Sequence, residues 1–124
     1  MIVGLGIDVA NIERLRTALD RFGERFWQRI LTEAERAELS SRPDPALALA
    51  GRFAAKEAAA KALGGQPDVW WHDIEVLPNA RGGPELRFLG AALPHVERLG
   101  VSRVFVSITH DAGVAAAVVV LEKD

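Results

Sequence analysis

An alanine-rich stretch, residues 47–63, constrains the fold of this 124-residue chain more than any other segment. Alanine is the strongest helix former, the stretch contains no proline, and Gly64-Gly65 follows where a helix would stop. The stretch therefore predicts one long helix. Four of its alanines recur at four-residue steps, so one side carries only small side chains and another element is expected to approach it closely: Ala50, Ala54, Ala58 and Ala62.

Short apolar segments on both sides of this helix have the length and the boundaries of β-strands. The predicted strands are an opening buried strand at residues 2–7, a pair at 73–77 and 85–88 around a turn at 79–84, and a closing hairpin at 103–109 and 114–121. The last strand is apolar on both faces, which predicts a central position in the sheet.

Shorter helices complete the pattern. Apolar residues recur at helical steps from Ile12 to Ile30, with Asn11 as a cap and Gly23 as a break between two helices. Thr32 and Glu35 form a capping box, and a further short helix is expected at residues 91–99. No repeat or linker interrupts residues 1–124, so we expect a single α+β domain with an antiparallel sheet, one long helix and several shorter ones.

Composition excludes several functional classes. The chain has 15 basic and 17 acidic residues, which does not favour a nucleic-acid partner, and no cysteine, which excludes disulfides, zinc–thiolate sites and cysteine nucleophiles. Its longest apolar run, residues 113–121, is far shorter than the roughly 20 residues that a membrane span needs. Asp8 interrupts the first apolar run too early for a signal peptide, so we expect a cytoplasmic protein without a membrane partner.

Candidate chemistry centres on Asp8, at the end of the first strand, and on the long helix. Asp8 could cap the following helix or bind a hard cation. Glu57 and Lys61 lie one turn apart and could form a solvated ion pair, while Arg52 and Lys56 form a second basic pair. One carboxylate and three cations on one helix also suit the metal-assisted handling of a phosphorylated substrate, because cations neutralise phosphate charge while the acid holds Mg²⁺.

Two further groups have both a structural and a functional interpretation. His110 follows Ser107 on a strand, but no nucleophile elbow precedes that serine, so a hydrolase triad is disfavoured and His110 could simply end the strand. Residues 14–29 hold five arginines against two acidic residues. If the helix were straight, Arg14, Arg21 and Arg25 would share a face, which could solubilise the helix or dock an acidic partner.

Taken together, these segments resemble a known family. Gly6-Ile-Asp8, Ile12-Glu-Arg14, the run from Gly51-Arg-Phe-Ala-Ala-Lys-Glu57 to Lys61-Ala-Leu-Gly64, Asp73-Ile-Glu75 and Ser107-Ile-Thr-His110 occur in the order found in the holo-acyl-carrier-protein synthases, the small bacterial 4′-phosphopantetheinyl transferases. The chain departs from the family pattern at Gly64-Gly65-Gln66, where Gly-Thr-Gly is usual, and at Gly82-Gly83-Pro84, where Gly-Lys-Pro is common. It also carries Trp70 and Trp71 where one aromatic residue is usual.

The resemblance implies the transfer of phosphopantetheine from coenzyme A to a serine of apo acyl-carrier protein, with release of adenosine 3′,5′-bisphosphate. It implies Mg²⁺ as cofactor, a homotrimer with sites at subunit boundaries, and a role in fatty acid biosynthesis. By position, the implied metal ligands are Asp8 and Glu57. The implied catalytic residues are these two and Lys61, which would also face the coenzyme A phosphates. The other implied coenzyme A contacts are Arg52, Gly64, Gly83, Pro84 and His110, and the implied carrier-docking residues are Arg14, Arg21 and Arg25. The alternative is a non-catalytic module that binds coenzyme A or the carrier protein on the same fold.

Overall fold

The computed structural model describes residues 1–124, which form five strands, five helices and two single-turn 3₁₀ segments at Trp71–Asp73 and Gly90–Ala92. In chain order the elements are β1 (Ile2–Asn11), α1 (Ile12–Phe22), α2 (Glu24–Ile30), α3 (Glu33–Leu39), α4 (Pro45–Ala62), β2 (Ile74–Pro78), β3 (Pro84–Phe88), α5 (Leu93–Leu99), β4 (Arg103–Asp111) and β5 (Val114–Glu122). No helix is long and apolar enough to cross a membrane.

The predicted long helix is α4, and it begins two residues earlier than the sequence indicated. Asp44 accepts a hydrogen bond from the backbone N–H of Leu47 at 3.2 Å, and Pro45 occupies the first helical position. Both features favour a helix start, because Asp satisfies a free N–H and proline needs no partner there. After Ala62 and Leu63, Gly64 and Gly65 stop the helix with φ angles of 91° and 71°, which residues other than glycine rarely adopt.

The shorter helices also begin and end for local reasons. Asn11 caps α1 by accepting the N–H of Arg14 at 3.0 Å, as predicted. Gly23, with φ 57°, separates α1 from α2. Thr32 and Glu35 form the predicted capping box at the start of α3. Glu35 is fully buried, so it has a second role that the local pattern did not indicate.

The strands form two antiparallel sheets, with strand order β1-β5-β4 in one and β2-β3 in the other. The predicted α+β fold class is confirmed, and β5 lies centrally between β1 and β4 as predicted. One face of the three-stranded sheet packs on α4, where alternate residues of β5 are buried: Ala115, Ala117, Val119 and Leu121. The hydrophobic core therefore lies between this sheet and α4.

The first strand approaches α4 very closely, as the row of alanines predicted. A Cβ atom added at Gly4 or Gly6 would overlap the carbonyl oxygens of Ala62 and Ala58, so only glycine fits at these positions. The prediction of a buried strand is wrong for the other face of β1. The glycines of β1 face the helix, so the larger side chains point away from it and are exposed: Leu5, Ile7 and Val9.

Candidate functional site

The packing of β1 on α4 brings Asp8 to Lys61. The Lys61 ammonium donates to Asp8 Oδ1 and to the Ile7 carbonyl oxygen, both at 3.0 Å. Lys61 makes no ion pair with Glu57, so the interpretation of those two residues as an isolated helical pair is wrong. Asp8 does not cap α1 either, since Asn11 does. The arrangement leaves one acidic and one basic group facing each other across the junction of strand and helix.

Glu57 lies one helical turn before Lys61 and is half-buried. Its Oε1 accepts a hydrogen bond from the indole Nε1 of Trp71 at 2.7 Å. Both residues line a cavity of about 270 Å³, and Trp70 forms part of the same wall. Glu57 is therefore held in a fixed orientation at the edge of a space that is open to a ligand.

Asp8 contacts Lys61, Glu57 lies one helical turn from Lys61, and the chemistry of the two carboxylates suits a hard metal ion. No group of three or more His, Cys, Asp or Glu side chains is placed to hold a metal by itself. Mg²⁺ is ordinarily bound by one or two carboxylates together with water and substrate phosphates, so Asp8 and Glu57 fit its ligand requirements. The Lys61 ammonium, already bound to two oxygens beside β1, would be near any phosphate at this site.

A second, basic cleft of about 350 Å³ lies between the N-terminal half of α4 and the end of β4. Arg42, Arg52 and His110 line this cleft, so the structure brings Arg52 and His110 together. Glu38 pairs with both arginines, at 2.5 Å to Arg42 and 3.5 Å to Arg52. The sequence interpretation missed Arg42, because it lies in a loop whose path the local pattern does not determine.

Arg52 is held in this cleft with part of its hydrogen-bonding capacity unused. Its side chain is 11% exposed, and its Nε atom is buried without a partner. Burial lowers the pKa of the guanidinium, and the charge of Glu38 opposes that effect. A buried guanidinium with a free N–H group is suited to binding an anionic oxygen.

Lys56 is not available to a substrate, which corrects the prediction of a second basic pair on α4. Its side chain is fully buried, and its ammonium donates to Glu35 Oε1 at 2.7 Å and to the carbonyl oxygens of Trp71 at 2.8 Å and Ile74 at 2.5 Å. Burial lowers its pKa, and Glu35 opposes this. Lys56 therefore joins α3, α4 and the start of β2, whereas Lys61 is exposed and Arg52 lines the basic cleft.

The glycine positions predicted to contact coenzyme A lie in two different places. Gly64 ends α4 and donates its N–H to the Lys61 carbonyl oxygen at 2.9 Å, so it lies one turn from the Asp8–Lys61 pair. Gly83 and Pro84 lie at the tip of the β2–β3 hairpin, where Asn79 Oδ1 accepts the Gly83 N–H. Neither lines the basic cleft or the Glu57 cavity of the same chain.

The predicted arginine stripe is bent rather than straight. Arg14 and Arg21 lie on α1, Arg25 lies on α2, and the break at Gly23 turns the second helix away from the first. Arg14 and Arg21 line a shallow depression that ends at Phe22. Phe22 is also part of a larger cavity of about 640 Å³, which we call the apolar groove; its lining residues are Phe22, Arg25, Phe26, Arg29, Ile30, Phe53 and Trp71.

Comparisons with known proteins identify the class to which this fold and site belong. The sequence model of the 4′-phosphopantetheinyl transferase superfamily matches residues 4–119. The chain belongs to this superfamily.

More specific relatives are holo-acyl-carrier-protein synthases. The chain is 54% identical to that of Solidesulfovibrio magneticus over 98% of this chain and 99% of the relative. The crystal structure of the Neisseria meningitidis synthase superposes with a TM-score of 0.89 at 39% identity and covers 99% of this chain and 100% of its own. The Bacillus anthracis synthase, solved in complex with coenzyme A (3′,5′-ADP), gives a TM-score of 0.82 at 38% identity and covers 100% and 99%. The resemblance inferred from the motifs and the predicted enzyme class are confirmed.

Proposed function

We propose that this chain transfers 4′-phosphopantetheine from coenzyme A to a serine hydroxyl of an acyl-carrier protein, with Asp8, Glu57 and Lys61 as the reacting centre. The observation that carries the proposal is the junction of β1 and α4, where Lys61 contacts Asp8 at 3.0 Å and lies one turn from Glu57. Coenzyme A and the carrier protein are thus the substrates. We infer that the reaction takes place in the cytoplasm, where it supplies holo carrier protein for fatty acid biosynthesis.

Asp8 and Glu57 are the proposed ligands of Mg²⁺. When bound, the ion would neutralise the negative oxygens of the pyrophosphate that otherwise repel an incoming hydroxyl. The Lys61 ammonium would neutralise negative charge on the phosphate that leaves. Asp8 orients this ammonium through their contact. This division gives the site two carboxylates for one metal ion and the Lys61 ammonium, oriented by Asp8, for the substrate phosphate.

Glu57 is the proposed general base for the serine of the carrier protein. A serine hydroxyl needs a base within hydrogen-bond reach, and Glu57 lines an open cavity with one oxygen occupied by Trp71. Its other oxygen, Oε2, makes no hydrogen bond within the chain and is available for the serine proton.

The basic cleft is the proposed site for the nucleotide end of coenzyme A. Arg42 and Arg52 supply two guanidinium groups and His110 a third nitrogen donor, which suits a phosphate monoester. In one chain this cleft contains none of Asp8, Glu57 or Lys61. A coenzyme A site completed by a neighbouring copy accounts for this separation. It also accounts for the position of Gly83 and Pro84 on a hairpin away from the basic cleft.

The exposed face of the three-stranded sheet supports the proposed homotrimer. Leu5 and Ile7 are each 64% exposed and Phe105 is 50% exposed. Val120 lies between Leu5 and Phe105 in the strand register, so the four side chains form one apolar patch. A patch of this kind marks an interface. Sedimentation should give a trimer for the wild type, and Ile7→Glu should shift it towards monomer; a wild-type monomer would refute the trimer.

The apolar groove and the adjoining depression are the proposed docking surface for the carrier protein. Arg14 and Arg21 line the depression together with Glu13, and Arg25 lines the groove, and Phe22 belongs to both. Cations therefore outnumber anions around an apolar centre. Such a surface suits an acidic helix that carries an apolar residue, because charge steers the encounter and the apolar contact supplies affinity.

Intact-mass spectrometry of apo acyl-carrier protein tests the function directly. After incubation with coenzyme A, Mg²⁺ and this chain, the carrier should gain one phosphopantetheine, and a chelator should prevent the gain. Asp8→Asn and Glu57→Gln should abolish or strongly reduce the rate. Glu97→Gln, which removes an exposed carboxylate on α5, should not. If Glu57→Gln recovers its full rate at high Mg²⁺, the base role of Glu57 is wrong.

The same experiment separates the transferase from the alternative of a non-catalytic binding module. A module would bind coenzyme A or the carrier without adding mass to the carrier. The presence of both Asp8 and Glu57 beside Lys61 favours the transferase, because binding alone needs cations rather than two carboxylates.

A further inference from the structure

Trp71 forms part of the wall between the apolar groove and the cavity of Glu57. Its ring lines the groove, where it lies 5.9 Å from the ring of Phe53 and 5.8 Å from the guanidinium carbon of Arg29. Its indole N–H points the other way and donates to Glu57 Oε1 at 2.7 Å. One side chain therefore contacts both the proposed carrier surface and the proposed base.

Buried groups hold Trp71 in this orientation. Its carbonyl oxygen accepts a hydrogen bond from the Lys56 ammonium at 2.8 Å, and that ammonium is paired with Glu35 at 2.7 Å. Both Lys56 and Glu35 are fully buried, so the backbone of residue 71 is anchored to α3 and α4. With the ring packed against Phe53, neither end of the residue can turn without breaking buried contacts.

The hydrogen bond decides which part of Glu57 is available for chemistry. A glutamate on a helix has three rotatable side-chain bonds, and an unrestrained carboxylate would sample several positions. The bond from the indole to Oε1 fixes the plane of the carboxylate, and Oε2 is the oxygen with no partner in the chain. Reactions that depend on proton transfer require such fixed geometry.

We propose that Trp71 is a positioning residue for phosphopantetheine transfer, which holds Glu57 through its indole N–H while its ring forms part of the surface that receives the carrier protein. This inference rests on the proposed function of Glu57. It also gives a role to one of the two tryptophans that depart from the family pattern.

Trp70 provides a matched control. It is 61% exposed and hydrogen-bonds only through its backbone N–H and carbonyl, both to Asp73. Trp70→Phe and Trp71→Phe make the same chemical change at adjacent positions, but only the second removes a donor from Glu57. Both retain an aromatic ring.

Steady-state kinetics give the first test. Trp71→Phe should lower kcat about tenfold, the loss typical of a group that orients a catalytic ligand, with the KM for coenzyme A unchanged. Trp70→Phe keeps an aromatic ring in the wall of the Glu57 cavity and removes no donor from Glu57, so it should lower kcat far less than Trp71→Phe does. An unchanged kcat in Trp71→Phe, or a loss that Trp70→Phe reproduces, overturns the inference. So does an effect confined to the KM for the carrier, because Trp71 would then serve the groove alone.

An NMR measurement gives a second test that needs no activity. The chain has three tryptophans, so three indole N–H resonances can be assigned with the single phenylalanine variants. Glu57→Gln should move the Trp71 indole proton upfield, because a neutral amide accepts more weakly than a carboxylate. Lys61→Met, which removes a charge one turn away on the same helix, should leave it in place. An unmoved Trp71 resonance in Glu57→Gln overturns the inference. If Glu57→Gln moves the resonance but the wild type transfers no phosphopantetheine, only the proposed function is refuted.

Discussion

The buried pair of Lys56 and Glu35 makes a strong prediction about stability. Lys56→Met removes the ammonium but keeps a side chain of similar length, which leaves the Glu35 carboxylate buried without its cation and two carbonyl oxygens without their donor. Breaking one partner of a buried ion pair costs about 3–5 kcal/mol. A chain of this length is expected to have a total free energy of unfolding of roughly 6–19 kcal/mol, so the substitution removes a large part of it.

Urea unfolding at constant pH measures this cost. With a slope of about 2 kcal/mol per molar urea, the midpoint should fall by about 2 M. Lys61→Met removes an exposed lysine from the same helix and should change the free energy of unfolding by no more than about 0.5 kcal/mol. The double variant Glu35→Gln, Lys56→Met should cost about 1–3 kcal/mol less than the sum of the single variants, because it leaves no unpaired charge. A cost below about 1 kcal/mol for Lys56→Met, or strict additivity, would refute the reasoning.

Three further predictions follow from other contacts. Gly6→Ala should lower both the thermal midpoint and the transfer rate. The added Cβ would overlap the backbone of Ala58 and move β1 away from α4. A fully active, equally stable variant would contradict the close packing. Asp44→Asn should keep the helix cap but make stability less dependent on pH in acid. The hydrogen bond from Arg16 lowers the pKa of Asp44, so the pair stabilises the fold above the usual carboxyl pKa of about 3.9, and this stabilisation is lost as pH falls through the lowered value. Thermal midpoints of variant and wild type that change in parallel from neutral pH to pH 2 would contradict this. Arg25→Glu should raise the KM for the carrier protein and leave that for coenzyme A unchanged. The same reversal at the exposed Arg98 on α5 should change neither, and equal effects of the two variants would exclude the apolar groove as the docking surface.

The buried pair also connects stability with the proposed chemistry. Lys56 bonds to the carbonyl oxygen of Trp71, and Trp71 bonds to Glu57. A substitution at Lys56 is therefore expected to affect the orientation of Glu57 as well as the free energy of unfolding. The neighbouring residues Lys56 and Glu57 thus have separate roles, one inside the core and one at its edge.

Local sequence was sufficient for most of the secondary structure, because the signals act over a few residues. The alanines of α4, the glycines that follow it and the capping box at Thr32 each determine the conformation of their own segment. The family could likewise be recognised, because the motifs that contain Asp8, Glu57 and Lys61 occur along the chain in the order found in the family. The two-sided apolar pattern of β5 was enough to place it at the centre of its sheet.

Tertiary structure alone decided which of these residues are accessible and which meet. Helical spacing treats Arg52, Lys56 and Lys61 as equivalent cations. Only Lys56 is fully buried, and its ammonium bonds to Glu35 on α3 and to the Ile74 carbonyl oxygen on β2. Lys61 pairs with Asp8, 53 residues away, rather than with Glu57 on its own helix. The indole of Trp71 finds Glu57 across 14 residues because the chain turns back over α4. Periodicity specifies the side of a helix on which a residue lies, whereas the element that covers that side depends on contacts between distant parts of the chain.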